Sequence, residues 1–216
     1  MKKVLTILLS SLLVLSLAII AYADSITVTR AEWLSALETE FELGADDIAL
    51  FPESFTQEPN APATREFAAT TVNYFVGYEL NQGLAYSFTD AEDVSDKNSA
   101  EFAVKNSLIS LEEGKFLPNA MLTAEERDNM LSSAKTVWTQ PYTMVLPDGE
   151  DYARVSGFTP EADGLGIRHT LYIPKKLGGK PVEYIDNNAF QNNTQIRFVN
   201  IPNTVISIGS NAFSGC

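Results

Sequence analysis

Apolar positions along this chain follow two periods, and the change between them falls near Gln140-Pro141. Before that point they recur at helical spacing, and after it Gly, Pro and Asn punctuate short β-branched runs. Ahead of both lies a third pattern. Lys2 and Lys3 precede a run from Val4 to Ile20 that is apolar apart from scattered Thr and Ser, and Ala21-Tyr22-Ala23 places small residues where a signal peptidase cuts. This predicts an export signal over residues 1–23 and a mature chain starting near Asp24. The rival reading is an uncleaved anchor, since the run approaches the ~18 apolar residues at which a spanning helix becomes plausible.

Three helices announce their own starts. Thr29, Thr64 and Thr123 each precede charge and then an amphipathic run. A Thr hydroxyl accepts from the unpaired N–H groups of a first helical turn, and Glu32 and Glu126 complete capping boxes with Thr29 and Thr123. Behind these caps, Trp33, Leu34, Leu37 and Phe41 fall on one helical face, with Glu38 and Glu42 outside. The set Phe67, Ala68, Thr71, Val72, Phe75 and Val76 does the same after Thr64, and Met130, Leu131, Ala134 and Trp138 after Thr123. A fourth helix is predicted from about Ser99 to Ser107.

Around the third cap the order is fuller. Phe88-Thr89-Asp90 leads into the Ser99 helix, then Gly114-Lys115-Phe116-Leu117-Pro118-Asn119 turns the chain ahead of Leu122-Thr123. Together with Thr29-Arg30-Ala31-Glu32 and Thr64-Arg65-Glu66, this resembles the S-layer homology family, over about residues 25–138. The resemblance implies a helical domain, here 24–140, that attaches to anionic cell-wall polysaccharide through the Arg of the Thr-Arg-Ala-Glu motif. Arg30 and Arg65 are therefore the candidate glycan-binding residues, because a guanidinium can grip a carboxylate through two parallel hydrogen bonds. The pattern also departs from the family. Thr29 and Thr64 are 35 residues apart against 59 for Thr64 and Thr123, Phe55-x-x-x-Pro59 is a loose version of the turn, and Ala124 stands where the family has Arg.

Beyond Pro141, Tyr142 to Leu146 and Tyr152 to Phe158 flank Pro147-Asp148-Gly149, which predicts a β-hairpin. A repeat follows. Val182-x-x-Ile185-x-x-Asn188-Ala189-Phe190 aligns with Val205-x-x-Ile208-x-x-Asn211-Ala212-Phe213 at an offset of 23, while Ile173-Pro174 and Ile201-Pro202 recur at 28. The extra five residues are assigned to an insertion around Gly178-Gly179-Lys180. A period in the twenties predicts a solenoid whose turns stack to bury a shared core. Asn188 and Asn211 suit left-handed turn positions, and Pro202 ends a strand because it has no N–H for the ladder. The pattern resembles the BspA-like leucine-rich repeats, with Ile196, Val199, Ile201, Val205, Ile208, Ala212, Phe213 and Cys216 in register. The fold class expected is thus α+β, with the helical domain followed by a hairpin and a short repeat solenoid over 141–216. That solenoid is read as incomplete, with an apolar edge exposed on its last turn.

Charge narrows the partners. There are 15 Lys and Arg against 28 Asp and Glu, a net charge of −13. Without Lys2 and Lys3 the balance is 13 against 28, or −15. Nucleic acid and anionic membranes are not expected partners, since both call for clustered cations. Cys216 and His169 are the single Cys and the single His, so no internal disulfide or multi-histidine metal site can form within this chain. Both are read as ordinary residues, Cys216 as a small core side chain. Asp90, Glu92, Asp93 and Asp96 lack calcium-loop spacing and read as a solvated loop. No phosphate loop, nucleophile elbow or zinc-protease motif is present, so no cofactor, metal or catalytic residue is assigned.

The expected function is that of a non-enzymatic, secreted cell-surface protein. The helical region holds cell-wall polysaccharide, and the repeats contact a surface protein or glycan, as the BspA resemblance implies. A second reading makes this stretch the non-catalytic N-terminal part of a larger wall-active enzyme, and a third lets the helical region bind no glycan and only cap the repeats.

Overall fold

The three threonine-capped segments meet in a closed ring of backbone hydrogen bonds. Val28 donates to the Leu122 carbonyl (3.0 Å), Leu122 to that of Ala63 (3.0 Å), and Ala63 to that of Val28 (2.7 Å). All three residues are buried. These contacts come from a computed structural model that describes residues 27–76, 78–79, 85–159, 167–168 and 170–216. The expected signal segment and His169 lie outside the described residues.

From the ring, helices α1 (Arg30–Glu40), α4 (Arg65–Val76) and α6 (Ala124–Thr139) run outward; α2 (Ala45–Ile48), α3 (Glu53–Thr56) and α5 (Lys97–Lys105) fill the spaces between. The capping boxes form as the residues dictate. Thr29 and Thr123 accept from the Glu32 and Glu126 N–H groups and the two Glu side chains answer back. Thr64 accepts from Phe67 at 3.2 Å. The predicted apolar faces are the buried ones, save Phe67, which is half-buried. Helix α5 starts two residues before Ser99 because Asp96 caps it through the Ser99 N–H. A hydrogen bond of 2.8 Å from Trp33 Nε1 to Thr71 Oγ1 locks α1 to α4.

The turn before α4 proves equivalent to the one before α6. Glu58 and Leu117 both have positive φ (52° and 55°). Each precedes a Pro-Asn-Ala tripeptide, and Ala61 and Ala120 donate back to Glu58 and Leu117 at 2.9 and 3.0 Å. Pro59 thus holds the place of Pro118. The carbonyls of these turns satisfy the first N–H groups of the preceding capped helix. Arg30 and Ala31 donate to Ala61 and Pro59, and Arg65 and Glu66 to Ala120 and Pro118.

Past Gln140 the chain enters the hairpin, β2 (Tyr142–Val145) and β3 (Ala153–Phe158). Strand β7 (Lys180–Ile185) then joins β3 in parallel, and β9 (Ser207–Ile208) joins β7 in parallel. A second parallel pair is β5 (Thr170–Tyr172) with β8 (Phe198–Asn200). Both sequence offsets are strand registers. Tyr184 faces Ser207 and Ile185 faces Ile208, 23 residues on; Thr170 faces Phe198 and Tyr172 faces Asn200, 28 on. The five-residue difference is the hairpin of β6 (Lys176–Leu177) with β7, turned by Gly178 and Gly179 at positive φ. Asn188 and Asn211 are left-handed, at 60° and 58°.

The apolar core runs unbroken from the helices into the strands. Trp138 Nε1 and Tyr142 Oη both donate to the Tyr172 carbonyl, at 2.9 and 2.8 Å. Phe41 stacks on Trp138 at 4.8 Å, and the Tyr172 ring lies 5.4 Å from Phe75. Strands β1 (Tyr78–Glu79) and β4 (Ile167–Arg168) pair across the same boundary. The helical part therefore sits against the first rungs and covers apolar surface that an open ladder would leave in water.

Candidate functional site

Arg30 and Arg65 occupy matching positions at the helix starts, yet their guanidinium groups live in different surroundings. Arg65 is 3% exposed. Its Nη1 is 2.6 Å from Glu112 Oε1, its Nη2 donates to the Ser110 carbonyl, and the group faces the Phe116 ring at 5.8 Å. Arg30 keeps 24% of its side chain exposed and pairs at 3.1 Å with Glu58, an outlying carboxylate. Its guanidinium lies 4.8 Å from the Phe67 centroid. The Nε of each is buried without a hydrogen-bond partner. The two are not brought into one site; each reaches toward the chain segment ahead of the next capped helix. Arg65 acts chiefly as a clamp on the Ser110–Glu112 segment, whereas Arg30 has a face that solvent reaches.

Asp90, read from the sequence as part of a solvated loop, closes the turn ahead of α6. Its two carboxylate oxygens accept from the Phe116 and Leu117 N–H groups, both at 2.8 Å. Burial pushes the carboxyl up, but the Phe116 and Leu117 N–H donors, helped by its own N–H and by Lys115, together hold the Asp90 carboxyl below its ordinary value. Phe88 packs its ring 5.5 Å from Phe116, so the Phe-x-Asp and Gly-x-Phe-x-Pro segments form one clip. Asp96 is likewise engaged, capping α5 and accepting from Thr70 Oγ1 at 2.9 Å. The local signal was the Pro118-Asn119 turn; the 26-residue reach from Phe116 to Asp90 is not local.

On the ladder, three rings form a spine. Phe158 lies 5.1 Å from Phe190, which stacks on Phe213 at 5.3 Å. Loop bonds reinforce it: Asn188, Phe190 and Asn192 donate to the Ser210, Ala212 and Ser214 carbonyls. Close approach of successive coils demands small residues, and a Cβ on Gly209 would meet the Asn187 backbone N at 2.4 Å. The outermost rung leaves Phe198 and Ile206 each 67% exposed. Cys216, expected in the core, is exposed instead. It lies on that outer rung, where its thiol reaches only the Phe190 carbonyl at 3.3 Å. Among the described residues no group of three or more His, Cys, Asp or Glu side chains is placed to hold a metal, and no helix is long and apolar enough to cross a membrane.

Against known proteins, residues 173–216 match the family described as BspA type leucine rich repeat region (6 copies). The matched stretch runs from Ile173 through the outer rung; it holds both strands of the 23-residue register and the second strand of the 28-residue one. No curated protein matches the chain. No solved structure matches it either. The helical part rests on its own geometry.

Proposed function

We propose that this is a non-enzymatic, exported surface protein whose stacked coils form a leucine-rich-repeat solenoid presenting a binding face, and whose helical part closes one end of that ladder. The observation that carries the reading is the pair of parallel registers, joined to the BspA-type match that begins directly after Tyr172. Coils stacked in this way bury their apolar residues inward and leave a broad outer surface for macromolecular partners. The hydrogen bond from Trp138 Nε1 to the Tyr172 carbonyl and the contact of the Phe75 and Tyr172 rings support the capping role. Export is tested by fractionating a bacterial host expressing the whole chain. The mature protein should appear outside the cytoplasmic membrane with its N-terminus near Asp24; a cytoplasmic product that retains Met1 would contradict the reading.

Attachment to cell-wall polysaccharide is a second role, and Arg30 is the residue whose geometry favours it. A half-exposed ion pair to an exposed carboxylate contributes little to stability, so a glycan acid group can replace Glu58 at small cost. Arg65 would first have to leave Glu112 and Ser110. Mature protein should sediment with purified walls and lose that retention after the secondary polymer is removed or after Arg30→Ala. Equal retention in all three cases discards wall attachment and leaves the helical part as a cap.

A further inference from the structure

The outward side of the parallel sheet carries a cluster that neither the spine nor the cap uses. Along β3, Ala153 and Val155 point into the core, which turns Tyr152 and Arg154 to the other face. Arg154 stands beside Tyr184 in register. There the Tyr152 and Tyr184 rings sit 4.9 Å apart with their planes inclined by 51°, an angled shelf instead of a closed stack. Arg154 reaches across to Asp186, its Nε 2.7 Å from Oδ1, with its guanidinium 5.7 Å from the Tyr184 centroid. The remaining groups face outward. Neither tyrosine hydroxyl, nor Arg154 Nη1, nor Asp186 Oδ2 has a hydrogen-bond partner among the described residues.

We propose that Tyr152, Tyr184, Arg154 and Asp186 form a subsite for a neutral polysaccharide. The proposal rests on reading the ladder as a binding face. Two partly exposed phenol rings supply flat apolar surface for the C–H faces of pyranose rings, at low entropic cost because each has few rotatable bonds. The fixed Arg–Asp pair offers one donor side and one acceptor side, the combination that neighbouring sugar hydroxyls take up, since each hydroxyl both donates and accepts. Charge complementarity selects among glycans. Within the patch Arg154 is cancelled by Asp186, so a ligand need bring no counter-charge. A polyanion would meet the field of a chain carrying −13 overall. Cross-strand support accounts for the ion pair and for the ring contact; it makes no use of the two tyrosine hydroxyls, Arg154 Nη1 or Asp186 Oδ2.

The test is affinity electrophoresis of the whole chain in gels containing soluble mixed-linkage β-glucan, dextran or the polyanion polygalacturonate. At least one neutral glycan should retard the protein, and polygalacturonate should not retard the Arg30→Ala variant, in which the separate acid-group site of the helical part is removed. A Tyr152→Ala/Tyr184→Ala double variant with unchanged circular dichroism should bind the retarding glycan at least about tenfold more weakly. Tyr152→Phe/Tyr184→Phe, which keeps the rings, serves if the alanine variant unfolds, and should weaken binding by a smaller factor through loss of the hydroxyls. No retardation by either neutral glycan, retardation by polygalacturonate alone, or undiminished binding in a folded double variant overturns the subsite. Failure here with intact export leaves the surface-protein reading standing, whereas a cytoplasmic chain that still binds β-glucan would separate the two the other way.

Discussion

Phe190 and Phe213 lie face to face, their centroids 5.3 Å apart and their planes inclined by 13°, although 23 positions separate them in the chain. Phe190 is buried between Phe158 and Phe213, while Phe213 is only half-buried on the outer rung. Phe190→Ala should therefore cost about 3–5 kcal/mol in urea unfolding, as removal of a packed aromatic side chain does. Phe213→Ala should cost under about 2 kcal/mol, since less apolar area is withdrawn from burial. Equal losses at the two positions would mean that the rings do not belong to successive layers.

Asp47 ties the helical part to the ladder and makes that junction sensitive to acid. Its carboxylate accepts from the Gly44 N–H at 2.7 Å and from Asn200 Nδ2 at 3.3 Å, and pairs with Lys175 at 2.9 Å. Burial pushes the carboxyl up, yet the Gly44, Lys175 and Asn200 contacts prevail and hold it below its ordinary value. A lowered folded-state value means that the stabilising effect is complete above the unfolded value and is lost as pH falls through the folded one. Unfolding free energy followed from about pH 6 to about pH 2 should thus drop more steeply in the wild type than in Asp47→Asn. Parallel curves would show that Asp47 does not bridge the two parts.

Arg30 and Arg65 should separate in stability as they do in exposure. Arg65→Ala removes a buried guanidinium together with its hydrogen bonds to Ser110 and Glu112 and opens space beside Phe116, for a loss of about 1–3 kcal/mol. Arg30→Ala removes a pair with exposed Glu58 and should cost no more than about 1 kcal/mol. Thermal melts of the two variants check this; a costlier Arg30 variant would reverse the assignment of roles.

How far these features could be read from the sequence depends on how locally each is determined. The helix starts at Thr29, Thr64 and Thr123 were legible because a cap is settled within four residues. The ladder registers were legible because a repeat writes its own offset into the chain, and Asn188 and Asn211 marked its left-handed turns. Arg65 could not be placed. Whether its guanidinium meets solvent or Glu112 depends on a segment 47 residues away. The ring of Val28, Ala63 and Leu122 is hidden for the same reason, although the shared Pro-Asn-Ala of Pro59 and Pro118 was a usable clue to equivalent turns. Cys216 was assigned to the core because a free Cys behaves as a small apolar side chain, but burial also depends on what lies over the rung.

Gly209 tests how tightly the coils approach. A Cβ there would fall 2.4 Å from the Asn187 N and 2.6 Å from the Asp186 carbonyl carbon, both backbone atoms that side-chain rotation cannot move. Gly209→Ala should lower stability by about 1–3 kcal/mol through overpacking. Differential scanning calorimetry reads this as a lower melting temperature, and an unchanged one would mean that the coils stack more loosely than a 2.4 Å approach requires.

Backbone NOE contacts on the isotope-labelled full chain read the two registers directly. Parallel-strand contacts should connect Tyr184 with Ser207 and Thr170 with Phe198, together with ring-to-ring contacts between Phe190 and Phe213. Antiparallel contacts, or offsets other than 23 and 28, would contradict the stacked ladder.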